Sequence, residues 1–163
     1  MDGRPLVVEL TEGLPEQSLA VGERLYEEGT AQSATVAVLV AGRLEIESEG
    51  NRLPDVTLPG SFVGEVGALL AIARTATVTA SEPSTVRIVG DPQTFFESHP
   101  ALSLELARQL AGRLYRLTSY LADVRTQYAD AGGHLAMVDA VLSRLATRPP
   151  IQIDGGSDRS PDY

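Results

Sequence analysis

Residues 64–78 read GEVGALLAIARTATV, a glycine and an acid, a run of small and aliphatic residues, and then Arg74 in a second small-residue run. Eight residues separate Glu65 from Arg74, room for one short helix and a turn. Each residue type has a chemical reason to stand there. Gly64 lets the backbone approach a ligand closely, Glu65 can accept from hydroxyls, and the amides around Gly67 and Ala68 can form a positive concavity for an anion. Arg74 supplies a fork-shaped cation that matches the edge of a phosphate. Read without further context, the same stretch is also an ordinary strand, helical turn and strand with a surface arginine. That reading leaves the cluster of small residues unexplained.

The whole string, with Gly64-Glu65, a short helix and Arg74-Thr75-Ala76-Thr77-Val78 in this order and spacing, resembles the phosphate-binding cassette of cyclic-nucleotide-binding domains. A wider pattern carries the same resemblance. Gly22-Glu23-x-Leu25-Tyr26-x-x-Gly29, then Val38-Leu39-Val40-x-Gly42-x-Leu44-Glu45, then Pro59-Gly60 ahead of the cassette, is similar to the glycine framework of that family's β-roll, so the likeness spans roughly Leu14 to Tyr128. Two departures stand out. Leu6–Gly13 reads as a strand and a turn where the family often has a helical bundle, and Val63 occupies a place where the family commonly has Phe.

Periodicity gives an independent expectation for the first half of the chain. From Leu6 to Val89 short strand-like runs alternate with turn signals, as in an antiparallel sandwich or roll. In Arg43–Glu47, Leu44 and Ile46 alternate with Arg43, Glu45 and Glu47, one buried face and one wet one. Glu49-Gly50-Asn51 reads as a hairpin tip and Leu58-Pro59-Gly60 as another turn.

After Gly90 the period changes from two to three and four. Asp91-Pro92 is an N-cap with proline in the first turn of a short helix holding Phe95 and Phe96, which Ser98-His99-Pro100 interrupts. In the long helix that follows, Leu110, Leu114, Leu117, Leu121, Val124 and Tyr128 step by four and three, the a/d seam of a coiled coil. Two readings fit that seam, packing against the chain's own β-roll or pairing with a second copy, and the strict heptad favours the pair. Ala131-Gly132-Gly133 closes the helix. His134–Thr147 reads as a second amphipathic helix with Leu135, Val138, Val141, Leu142 and Leu145 on one side, stopped by Pro149-Pro150 before a polar tail that reads as disordered. The expected class is therefore α+β, a jelly-roll-like antiparallel β-roll followed by a short helix, a long heptad helix and a further amphipathic helix. The expected organisation is 1–130 for the roll and its helices, 131–148 for the last helix and 149–163 for the tail.

Composition narrows the function. The chain has 163 residues, no cysteine, and thirteen basic residues that are all arginine, against 22 acids, for a formal charge of −9. One domain with appended helix fits this length, and thiolate metal sites and thiol catalysis are excluded. A general nucleic-acid surface is disfavoured, since phosphate-backbone binding needs a basic face. Arg74 is the one basic residue between Arg52 and Arg87, so an anion at the cassette has one obvious counter-charge; pairing with Glu65 on the surface is the competing use. No leader-like segment or membrane-length apolar run is present, and a cytoplasmic protein is expected.

The resemblance implies a 3′,5′-cyclic nucleotide as ligand, cAMP or cGMP, with no prosthetic group and no metal. Glu65 would accept the ribose 2′-hydroxyl, Arg74 would pair with the cyclic phosphate, the amides near Gly67, Ala68 and Ala76 would complete the anion site, and Thr75 would add a hydroxyl. Thr75 accompanies cGMP preference in some members. Thr118-Ser119, just off the seam, resembles the Thr-Ser pair that contacts adenine in catabolite-activator-like regulators, which tilts the reading to cAMP; by physics alone two such hydroxyls are solvated or bonded back to the helix. No pattern of a winged helix-turn-helix follows Tyr128, so a protein effector and a homodimer are the expected partners, without DNA or membrane. A metal-dependent β-roll enzyme would need convergent ligands, and no His-x-His occurs. The alternative is a dimeric interaction or scaffold module with a vestigial pocket.

Overall fold

The computed structural model of the chain describes residues 5–31, 35–127, 140, 141, 143 and 144. The chain divides into two compact units, residues 1–111 and 112–163.

The first unit is built on eight strands in two four-stranded antiparallel sheets. In chain order come α1 (Leu6–Leu10), β1 (Glu16–Leu19), β2 (Arg24–Tyr26), β3 (Val36–Ala41), β4 (Leu44–Ser48), β5 (Asn51–Val56), β6 (Phe62–Val63), α2 (Glu65–Leu69), β7 (Thr77–Ala80), β8 (Ser84–Val89), α3 (Pro92–Ser98) and α4 (Pro100–Gln127). One sheet runs β1-β8-β3-β6 and the other β2-β7-β4-β5. Leu19, Tyr26, Ala37, Leu39, Leu44, Val63, Val78, Ala80 and Val86 form the core that draws side chains from both sheets. A second core, Val7, Val36, Val38, Phe62, Val89, Phe96, Leu102 and Leu106, joins the β1-β8-β3-β6 sheet to helices α1, α3 and α4. Strand β3 serves both. Val36 and Val38 point to the helical core, Ala37 and Leu39 to the sandwich core, and all four are fully buried. A strand covered on both faces has no wet side, which is why this run is continuously apolar whereas β4 alternates.

The expected turns are present. Glu49 (φ 51°) and Gly50 (φ 72°) both adopt positive φ between paired Ser48 and Asn51, the two-residue hairpin whose twist matches its strands. Gly22, Gly29, Gly42 and Gly60 all have positive φ. Asp91 caps α3, its Oδ1 accepting from the Thr94 amide at 3.2 Å with Pro92 in the first turn.

Leu6–Gly13 departs from expectation. The segment is a helix, α1, followed by a turn rather than a strand. Val7, Val8 and Thr11 are buried, an i, i+1, i+4 set that a helix gathers on one face and that alternation cannot distinguish over five residues. Tertiary contacts then favour the helix. Buried Arg87 on β8 donates to the Val8 carbonyl at 2.5 Å and to Thr11 Oγ1 at 3.3 Å, and its Nε donates to Glu16 at 3.0 Å. Those bonds compensate the burial of a guanidinium and tie α1 to the sheet.

Within the first unit, α4 is fastened by more than apolar packing. Gln109 Oε1 accepts from the Phe62 amide at 3.0 Å and its Nε2 donates to the Gly60 carbonyl at 2.8 Å, so one side chain supplies a donor and an acceptor to the segment entering β6. Leu110 packs against the helical core and is thereby a core residue. The second unit contains the rest of α4, where Leu114, Tyr115, Leu117 and Tyr120 are 49–72% exposed. Residues 140, 141, 143 and 144 are helical; Tyr128, most of the expected 134–147 helix and the 149–163 tail lie outside the described residues.

Candidate functional site

Strand β6 ends at Val63 and the chain turns at once into α2. Gly64 makes that turn with φ 81°, the left-handed conformation, as N-cap of the helix. Space demands glycine there as well as φ. A Cβ at position 64 would stand 2.6 Å from Tyr26 Cε2 and 2.7 Å from Arg74 Nη1, contacts that side chains do not make. The helix opens with buried Glu65 and closes after five residues, with Ala71 at φ 53° and the Ile72 amide reaching back to the Gly67 carbonyl at 3.1 Å. This 6→1 closure satisfies a terminal carbonyl and returns the chain toward the sheet. Arg74 is then zipped onto the β2–β3 connection. Its amide donates to Thr30 O at 3.1 Å and its carbonyl accepts from the Gly29 amide at 2.8 Å.

Arg74 is not the surface arginine that an acidic chain suggests. The residue is 5% exposed, and Glu65 is 3% exposed. The guanidinium carbon lies 3.7 Å from the centroid of the Tyr26 ring, a face-on cation–π stack. Nη1 donates to the Gly64 carbonyl at 2.8 Å, and Nη2 donates to the Thr35 carbonyl and to Thr35 Oγ1, each at 2.9 Å. Tyr26 and Thr35 are themselves joined, hydroxyl to hydroxyl at 3.3 Å. Burial pushes the Tyr26 phenol above its ordinary value of 10.0; the Thr35 bond and the Arg74 charge oppose the shift and the Glu65 charge adds to it.

The structure thus brings Gly64, Glu65, Gly67, Ala68 and Arg74 together around one short helix. Gly67 is buried and Ala68 half-buried. Thr75 is exposed, its carbonyl accepting from Ser48 Oγ at 2.7 Å, and Ala76 is half-buried just before β7. Thr118 and Ser119 belong to the second unit, on α4, where Thr118 Oγ1 lies 3.0 Å from the Leu114 carbonyl and 2.9 Å from that of Tyr115. Sequence reasoning did not single out Tyr26 and Thr35. Tyr26 carries a local signal, a large aromatic inside the Gly22–Gly29 framework; Thr35 carries none, because its meeting with Arg74 spans 39 residues of chain.

Two surface concavities lie apart from this cluster. One, of about 270 Å³, is lined by Arg24, Glu45, Arg52 and Thr79 among others, and one of about 320 Å³ lies by α3 with Leu14, Phe95 and His99. Neither contains Glu65 or Arg74. Among the described residues no group of three or more His, Asp or Glu could hold a metal ion, and no helix is long and apolar enough to cross a membrane.

Residues 16–95 match the family described as cyclic nucleotide-binding domain. The chain carries a cyclic nucleotide-binding domain. The matched span begins with β1, includes the whole of the Tyr26–Glu65–Arg74 cluster, and ends in α3. Solved structures agree on the fold. The catabolite activator protein of Thermus thermophilus superposes with a TM-score of 0.62 at 19% identity, over 89% of this chain and 84% of that one. A structure reported with a cyclic-GMP-dependent signalling pathway that regulates bacterial phytopathogenesis gives 0.53 at 24% identity, over 68% and 89%. The N-terminal domain of a transcriptional regulator from Streptomyces coelicolor A3(2) is 28% identical over 67% of this chain and 81% of that one, with a TM-score of 0.49. No curated protein is significantly similar to the chain. The 64–78 stretch, with buried Glu65 and Arg74, lies wholly inside the matched span.

Proposed function

We propose that the protein is a non-enzymatic regulator that binds a 3′,5′-cyclic nucleotide, cAMP in preference to cGMP, and passes the signal through α4 to a protein partner. The observation that carries this reading is the buried Arg74 beside the first turn of α2, next to buried Glu65, inside a cyclic nucleotide-binding domain. In this reading the guanidinium and the amides around Gly67, Ala68 and Ala76 hold the cyclic phosphate, Glu65 accepts the ribose 2′-hydroxyl, and Thr75 lends a hydroxyl to the phosphate. Thr118 and Ser119 read the base. The Thr118 proton is engaged with carbonyls of its own helix, which leaves its oxygen lone pairs to accept from a donor on the base. A switch requires that the ligand bind one arrangement of α3 and α4 better than another.

Calorimetric titration with cAMP, cGMP and AMP tests the reading. The expected order is cAMP, then cGMP, with AMP weakest. Arg74→Ala should cost on the order of 2–5 kcal/mol of affinity, by analogy with truncated buried charge pairs. Absence of binding by either cyclic nucleotide, or equal binding by Arg74→Ala, overturns it.

One observation favours a second reading. Arg74 is held by Gly64, Thr35 and Tyr26 with no ligand required, and Leu114, Tyr115, Leu117 and Tyr120 are exposed on α4, as a scaffold or interaction module with a vestigial pocket would have them. The same titration separates the two.

A further inference from the structure

Among the described residues, the Arg74 environment is the feature of the domain that cassette chemistry alone does not require. A guanidinium that only had to meet a phosphate could extend from the loop into water. Here it is flattened on the ring of Tyr26 at the end of β2 and gripped by acceptors from two further segments, Gly64 at the α2 cap and Thr35 just before β3. Every part of that cradle depends on the others. Tyr26 stacks on the guanidinium and reaches Thr35 with its hydroxyl, Thr35 accepts from Nη2 through both its oxygens, and position 64 has no room for a side chain between the ring and Nη1.

We propose that Tyr26 and Thr35 are positioning residues of the phosphate site, holding the Arg74 guanidinium in a single orientation before ligand arrives. The inference rests on the cyclic-nucleotide reading above and extends it to two residues outside the cassette. Its physical basis is preorganisation. An arginine side chain free to sample its rotamers loses that freedom on binding, and a side chain already fixed does not, so the fixed one binds more tightly for the same contacts. The ring contributes in a second way, since its face favours a guanidinium lying flat against it, 3.7 Å from the centroid.

The test is a double-mutant cycle read by cAMP titration, together with arginine side-chain NMR of the ligand-free protein. Tyr26→Leu should bind cAMP about tenfold more weakly, as loss of a desolvated cation–π contact implies. Tyr26→Phe, which keeps the ring, should stay within about twofold of wild type, the rescue a positioning role predicts. Thr35→Val should weaken binding about threefold, since the backbone carbonyl still accepts from Nη2. In an Arg74→Ala background Tyr26→Leu should have no further effect, because a residue acting through Arg74 has nothing left to position. In the NMR spectrum Arg74 should give a resolved, ring-shifted guanidinium signal without ligand, a measurement that stands even where Tyr26→Leu fails to fold.

A folded Tyr26→Leu that binds like wild type, an equal loss in the Arg74→Ala background, or an averaged Arg74 signal overturns the positioning role and leaves the cyclic-nucleotide reading intact. Failure of wild type to bind any cyclic nucleotide overturns both.

Discussion

Position 64 joins two demands that are separate in most glycines, a left-handed backbone and a lack of space. At φ 81° any L side chain is strained, and a Cβ would press into both Tyr26 and Arg74. Gly64→Ala should therefore lose of order 1–3 kcal/mol in urea denaturation, with the Arg74 stack displaced. An unchanged midpoint would mean that the turn relaxes freely. Tyr26 makes a different prediction, on pH. Burial raises its pKa, so below the ordinary value of 10.0 the phenol is neutral in both folded and unfolded chains and has no effect on the slope. Above 10.0 the unfolded chain releases the proton and the folded one retains it, so stability falls with rising pH until the folded group also ionises. Tyr26→Phe should flatten that alkaline decline relative to wild type, measured by denaturation between about pH 9 and pH 11.5. A parallel decline in both proteins would place the titration elsewhere. Of the residues in the cluster, Gly64, Glu65 and Arg74 were legible from spacing and chemistry. Thr35 was not, because a hydroxyl and a carbonyl near a strand start carry no signature of what will cross the sandwich to meet them.

At the scale of elements, length decided what could be read. Strand β4, the Glu49-Gly50 hairpin and the Asp91 cap carry local signals strong enough to survive any tertiary setting. Helix α1 does not; five residues are too few for its period to differ from alternation, and its helical state follows from Arg87 and the core beneath it. The link from α4 to β6 is similarly non-local, with Gln109 making both of its bonds across 47 and 49 residues. Gln109→Leu keeps the bulk and removes both bonds, leaving the Phe62 amide and the Gly60 carbonyl without their side-chain partners. The expected cost is roughly 1–3 kcal/mol in global stability, with faster hydrogen exchange at the Phe62 amide. Exchange at Phe62 unchanged by the substitution would show that the β3 pairing alone protects that strand.

For the whole molecule, the heptad pattern and the structure divide α4 between them. Leu110 belongs to the helical core of the first unit, while Leu114 and Leu117 are about half-exposed in the second, where an apolar row without cover among the described residues costs hydration unless a partner buries it. The heptad predicts a wild-type dimer through this helix, which Leu117→Glu and Leu121→Glu should each convert to a monomer on a sizing column with light scattering; a variant that remains dimeric would sink the seam. Strand alternation in β4, the turns and the spacing that sets Gly64 and Glu65 ahead of Arg74 were determined by the sequence alone, because each depends on residues within about fifteen positions of one another, where periodicity, φ preference and spacing act directly. The helical state of α1, the two-faced burial of β3, the Gln109 bridge and the cradle around Arg74 were decided only by the tertiary structure. Each of these depends on which distant backbone or side chain arrives to bury or accept a group, and no local pattern encodes that arrival.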